Sequence, residues 1–192
     1  MLYHLRGSVT RKTPTYVVVD CGGVGYLVHI SLTTFGELPD SGPVELLLHP
    51  VYREDAQLLY GFVTELERDV FVLLNSVSGV GASTARVILS TLRPDEALSV
   101  IANGDSGSLQ RIKGIGAKTA QRIVVDLRDK AVKLGASSGS PSGSHSARHE
   151  AIEALLVLGF ARPAVEKVLS ALAAEDADAS VEDLIKRALA RL

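Results

Sequence analysis

Twelve residues of this chain occur twice. VSGVGASTARVI, residues 77–88, lies over IKGIGAKTAQRI, residues 112–123, with Gly79 recurring 35 residues on as Gly114 and six of the twelve positions identical. A segment repeated in this way is one supersecondary unit used twice. Its pattern, apolar–x–Gly–apolar–Gly and then helical spacing, describes a tight turn between two helices. The central residue of each copy, Val80 or Ile115, is expected to plug the small core between the helices. The flanking glycines, Gly79 with Gly81 and Gly114 with Gly116, permit positive φ and leave backbone amides uncovered at the start of the following helix. The middle of the chain is therefore constrained to be all-α.

Lys118 and Thr119 after two glycines resemble the end of a nucleotide-binding loop, but the spacing is wrong. A Walker loop places glycine directly before its lysine and again five residues earlier, where this chain has Ala117 and Ile112. A dinucleotide fingerprint starting at Gly114 requires glycine or alanine where Thr119 stands. Neither nucleotide nor any other cofactor is expected.

A helix start with bare amides and a positive dipole end does bind phosphate oxygens, and it carries no base information. Gly79, Val80, Gly81 and Ser83 of the first copy, with Arg86, and Gly114, Ile115, Gly116, Lys118 and Thr119 of the second, with Lys113 and Arg122, are the candidate DNA-phosphate contacts. The second copy is the more basic, since Ser83 stands where the second has Lys118. A single such turn is equally well read as a plain interhelical turn. Doubling and charge favour DNA: residues 66–135 hold ten Lys+Arg against seven Asp+Glu, although the whole chain carries a formal net charge of −2.

The first sixty residues read as β. YVVVD, Gly22-Gly23 and VGYLVHIS make one hairpin, and VELLLHPVYR joined to QLLYGFV by Glu54-Asp55-Ala56 makes a second. With a strand near the N-terminus this gives about five short strands, consistent with a small barrel. SLTTFGELPD between the hairpins reads as one helical turn. Helical spacing begins at Leu66 and continues through Val70, Leu73, Leu74 and Val77; Pro94 opens a further helix. Residues 135–146, GASSGSPSGSHS, read as a flexible linker. Residues 147–192 read as three short helices, with Gly159 as a stop and Pro163 and Ser180 as starts. The lone Cys21 excludes an internal disulfide and suits a reducing cytoplasm. No apolar run approaches the ~20 residues of a membrane span, and the N-terminus reads as a strand, without a signal peptide.

YREDAQLLYGF, residues 52–62, puts two adjacent acids at a hairpin tip. Tips are ordinarily polar, so a solvated loop explains the pair as well as a function does. No third carboxylate or histidine lies near enough in sequence to make Glu54 and Asp55 a metal site, and no metal is expected.

Taken with GGVGY, the two glycine turns at their separation and EALLVLGF, the chain resembles the RuvA family, the Holliday-junction-recognition subunits of the bacterial branch-migration complex. The resemblance spans essentially the full chain. It implies an α+β multidomain fold: an N-terminal OB-fold β-barrel with an acidic pin (1–64), a central tandem helix-hairpin-helix domain (65–134), the linker (135–146) and a C-terminal three-helix, UBA-like domain (147–192). It further implies a non-catalytic homotetramer or octamer that holds four-way junction DNA open, with Glu54 and Asp55 as the pin at its centre. The implied partners are the RuvB motor, which supplies the ATPase, and the RuvC resolvase. Leu155, Leu158, Phe160 and Leu189 are the candidate RuvB contacts, with packing of the helical core as the competing role for them. The rival expectation is a helix-hairpin-helix DNA-processing enzyme of nuclease or glycosylase type. Such an enzyme needs a positioned carboxylate or lysine, and Asp126 stands alone.

Overall fold

The computed structural model describes residues 2–137, 143–176 and 179–192. Contacts divide the chain into two compact units, Met1–Ser138 and Gly139–Leu192.

The first unit opens with five strands, β1 (His4–Lys12), β2 (Tyr16–Cys21), β3 (Val24–His29), β4 (Gly42–Tyr52) and β5 (Gln57–Phe62), and a helix α1 (Leu32–Glu37) lies between β3 and β4. They close into a barrel in the order β1-β2-β3-β5-β4, antiparallel except where β3 runs parallel to β5. Alternation dictates the core: Val17, Val19, Val28, Leu46 and Leu48 point inward and are buried, while their neighbours face out. The expected turn in SLTTFGELPD is a full short helix. Ser31 starts it, accepting the Thr34 amide at 3.0 Å.

Five helices complete the unit: α2 (Glu65–Asn75), α3 (Ala82–Thr91), α4 (Pro94–Ala102), α5 (Ser106–Gln110) and α6 (Ala117–Ser137), with the two glycine turns between α2 and α3 and between α5 and α6. Their core continues into the barrel wall, because Tyr60 and Phe62 of β5 are buried in it with the Phe71 ring 5.1 and 4.9 Å from theirs. Hydrogen bonds add to the junction. The Leu32 amide donates to Ser90 Oγ at 3.1 Å and Thr33 Oγ1 to the Leu89 carbonyl at 2.7 Å. Glu67, fully buried, receives the hydroxyls of Ser31 and, at 2.7 Å, Thr34.

The linker expectation is corrected at its ends. Helix α6 continues to Ser137 and the next helix, α7 (Gly143–Val157), has already begun at Gly143; residues 138–142 of the expected linker lie outside the described residues. The second unit consists of α7, α8 (Arg162–Glu175) and α9 (Val181–Leu189) around Ala151, Leu155, Val165, Leu169, Leu172 and Leu184. Gly159, at φ +96°, ends α7, and the Phe160 amide returns to the Leu155 carbonyl at 3.2 Å. Ser180 caps α9 through the Asp183 amide at 3.2 Å. Among the described residues no helix is long and apolar enough to cross a membrane.

Candidate nucleic-acid interface

The two copies fold alike. In each, a four-residue turn closes by one backbone bond, from Val80 N–H to the Val77 carbonyl (2.9 Å) and from Ile115 N–H to the Ile112 carbonyl (3.1 Å). Its third residue has φ +90° at Gly79 and +91° at Gly114, the left-handed position of a type II turn that a side chain disfavours. The expectation of positive φ holds for the first glycine of each pair and not for the second, since Gly81 has φ −83°. A Cβ built on Gly81 or Gly116 meets nothing within 4 Å, so nothing in the fold itself excludes a larger residue there. That open space lies over the first turn of the next helix.

Those helix starts differ from others in the chain. Thr64, Asp105 and Ser180 cap α2, α5 and α9 with their own side chains, accepting amide hydrogens of the first turn. Helix α3 begins at Gly81 with no side-chain cap, and neither α3 nor α6 has an acid in its first turn. The first bonds of the two ladders are Ala85 N–H to Gly81 O and Ala120 N–H to Gly116 O, both 2.9 Å. The amides of Ala82, Ser83 and Thr84, and of Ala117, Lys118 and Thr119, therefore precede the ladder and face outward with the positive end of the helix dipole. This geometry accepts an anion at each of two places.

Val80 and Ile115 are buried in the helical core, so they contribute backbone and position to these sockets and no side-chain contact. Ser83, Lys113 and Lys118 are exposed, and among the described residues neither lysine has a hydrogen bond or ion pair. Thr119 is half-buried. Two expected phosphate ligands are otherwise engaged. Arg86 turns back to the barrel and donates from Nη1 to the Thr15 carbonyl at 2.9 Å. Its charge lies close enough to His29 to add to burial, the larger cause, in lowering that imidazole's pKa. Arg122 donates from Nη1 to the Ser78 carbonyl at 3.1 Å and so ties the second hairpin to the turn of the first. Both act as braces within the fold. Sequence spacing gives no sign of these two bonds because their acceptors are carbonyls 71 and 44 residues away.

The acid pair sits at the far end of the β4–β5 hairpin, closed by the Arg53 amide on the Ala56 carbonyl at 2.8 Å. Glu54 and Asp55 are both exposed, and among the described residues neither has an ionic partner. In the second unit, Leu155 is fully buried and belongs to the core, which corrects its assignment as a contact. Phe160 is half-buried against that core. Leu158 and Leu189 are exposed and Val157, which the sequence reading passed over, is 86% exposed. Among the described residues no group of three or more His, Cys, Asp or Glu is placed to hold a metal.

Three family descriptions match the chain: "RuvA N terminal domain" over residues 1–61, "SAM-like Helix-hairpin-helix tandem" over 71–129, and "RuvA, C-terminal domain" over 146–192. Among curated proteins, the chain is 47% identical to proteins of Christiangramia forsetii and Flavobacterium psychrophilum and 44% identical to one of Bacteroides thetaiotaomicron, each covering 100% of both sequences. All three bear the name Holliday junction branch migration complex subunit RuvA.

Proposed function

The chain belongs to the RuvA family, and from that premise we propose how its parts bind Holliday junctions and serve branch migration. The two bare helix starts, 35 residues apart in sequence and alike in geometry, carry the reading. Each takes phosphate oxygens on the amides of its first turn, and together they grip the backbone without reading bases. Gly81 and Gly116 let the backbone approach, while Lys113 and Lys118 add charge to the second socket. Braced by Arg122, the sockets keep a fixed separation.

Attraction alone does not distinguish a crossover from plain duplex. The pin supplies the difference. Four copies of the chain around a four-way junction bring their Glu54 and Asp55 carboxylates to its centre, where they repel the phosphates and keep the exchanging strands apart; like charges set against each other cost on the order of several kcal/mol. The chain itself performs no ATP hydrolysis in this scheme. The exposed Val157, Leu158 and Leu189 of the second unit dock the RuvB motor, and RuvC acts on the same held junction, in the cytoplasm. The full-length relatives are named as branch-migration subunits, which does not favour the DNA-processing enzyme.

The test compares binding to four-way and linear DNA of equal length over a salt series, with mass measurement of each complex. A preference for the four-way form, a steep fall of affinity with salt and a mass of four or eight copies are expected. Equal affinity for both DNAs would overturn the reading.

A further inference from the structure

The pin hairpin has two faces, and the acids at its tip account for neither. Its last ladder pairs are Pro50 with Leu59, Val51 with Leu58, and Tyr52 with Gln57. Val51 and Leu58 pack on the helical core. Strand alternation puts Tyr52 and Gln57 on the opposite face, where both are exposed.

Tyr52 is 61% exposed, the most exposed aromatic ring among the described residues. The other four tyrosines are occupied: Tyr3 lies under Arg68, Tyr16 under Arg11, Tyr60 against Phe71, and Tyr26 packs on the barrel core. Tyr52 has no ring or cation partner among the described residues. Its backbone is nevertheless held in the ladder, and a tyrosine has few torsions to fix, so the ring is presented at small entropic cost. Two and three residues beyond it stand the carboxylates of Glu54 and Asp55, unpaired among the described residues. Their charge turns phosphates away from the hairpin end, whereas an uncharged base face meets no such repulsion.

We propose that Tyr52 is a stacking platform for a base that has left its pair at the crossover. This rests on the junction-binding reading and deepens it: the pin's acids exclude the backbone while the ring beneath them receives the base. A base that unpairs during strand exchange loses its neighbours, and an aromatic side chain replaces part of that stacking in nucleic-acid-binding proteins generally, whatever the base. The sockets at Gly81 and Gly116 have no part in this contact.

The full-length protein is bound to a four-way junction carrying 5-iodouracil at the crossover, or in an arm well away from it, and irradiated; the adduct is located by peptide mass spectrometry and binding is followed by gel shift. An adduct on the residue 52 ring from the crossover probe alone is expected, kept in Tyr52→Phe and lost in Tyr52→Ala at protein concentrations that still saturate the junction, with affinity lowered about fivefold or more in Tyr52→Ala alone. Binding with no Tyr52 adduct, or with equal adducts from both probes, overturns the platform and leaves the junction reading standing. A Tyr52→Ala protein whose mass without DNA differs from the parent's also overturns it, since the ring would then be a contact between copies. Failure of the unaltered protein to bind the junction would sink the underlying reading itself.

Discussion

Glu67 is a charge-bearing group in a fully buried place, with no cationic partner among the described residues, and it joins the barrel to the helices through Ser31 and Thr34. Burial raises its pKa; the two hydroxyl bonds oppose that shift, and the Glu37 charge adds to it. The sign follows from linkage. Between the ordinary glutamate pKa and the raised folded value, the unfolded chain has already released this proton while the folded chain retains it, so this group's contribution to stability falls as pH rises through that window. His29 and His49, both lowered chiefly by burial, act oppositely: their share of stability grows as pH climbs toward the ordinary histidine value. Comparing urea midpoints of the parent and Glu67→Gln across pH isolates the carboxyl. The difference should move in favour of the glutamine protein as pH rises through the window and then level off. A difference independent of pH would show that Glu67 keeps its ordinary pKa. Glu67→Ala, by contrast, should destabilise at every pH, since it strands two buried hydroxyls at roughly 1–3 kcal/mol each.

At the scale of elements, the doubled turn separates two uses of glycine. Gly79 at φ +90° is needed for conformation, and Gly81 at φ −83° with open space around its Cα is not. Gly79→Ala should therefore cost about 1–2 kcal/mol of stability through left-handed strain. Gly81→Ala should cost at most the ~1 kcal/mol of a poorer N-cap. Its larger effect should be on four-way junction affinity, because the methyl stands over the amides that phosphate must reach; calorimetric melting and gel shifts on both variants check this. Loss of stability with unchanged affinity in Gly81→Ala would show that phosphate does not approach there. The turns themselves were legible, since a repeat of glycines and apolar residues declares itself without tertiary information. So were the two hairpins, marked by Gly22-Gly23 and by valine-rich runs. Helix α5 was not legible: SGSLQ has weak helix formers, and what fixes it is the Asp105 cap and the burial of Leu109. The far end of α6 was hidden because Gly135 and the serines read as linker, yet the helix runs through them to Ser137. The bracing by Arg86, Arg122 and Glu67 depends on partners 33 to 71 residues away and leaves no local signal.

At the scale of the whole molecule, the described residues form three apolar cores but two units. Barrel and helical cores share β5, whose Tyr60 and Phe62 belong to the second while its backbone closes the first, so neither opens without disturbing the other. The C-terminal core is built from α7, α8 and α9 alone, at a size where burial barely outweighs conformational entropy. Two calorimetric transitions are expected of the full chain. The cooler belongs to the three helices, and the hotter to residues 1–138 melting as one. Glu67→Ala should lower the hotter transition and leave the cooler one in place, because its contacts all lie within the first unit. Junction DNA held by the proposed sockets of the folded first unit should raise the hotter transition by mass action. A chain ending at residue 138 should then melt once, near the hotter temperature, and still bind the four-way junction while failing to stimulate the motor. Separate melting of barrel and helices would show that the shared strand does not couple them, and the sockets would then have to be positioned by the helices alone.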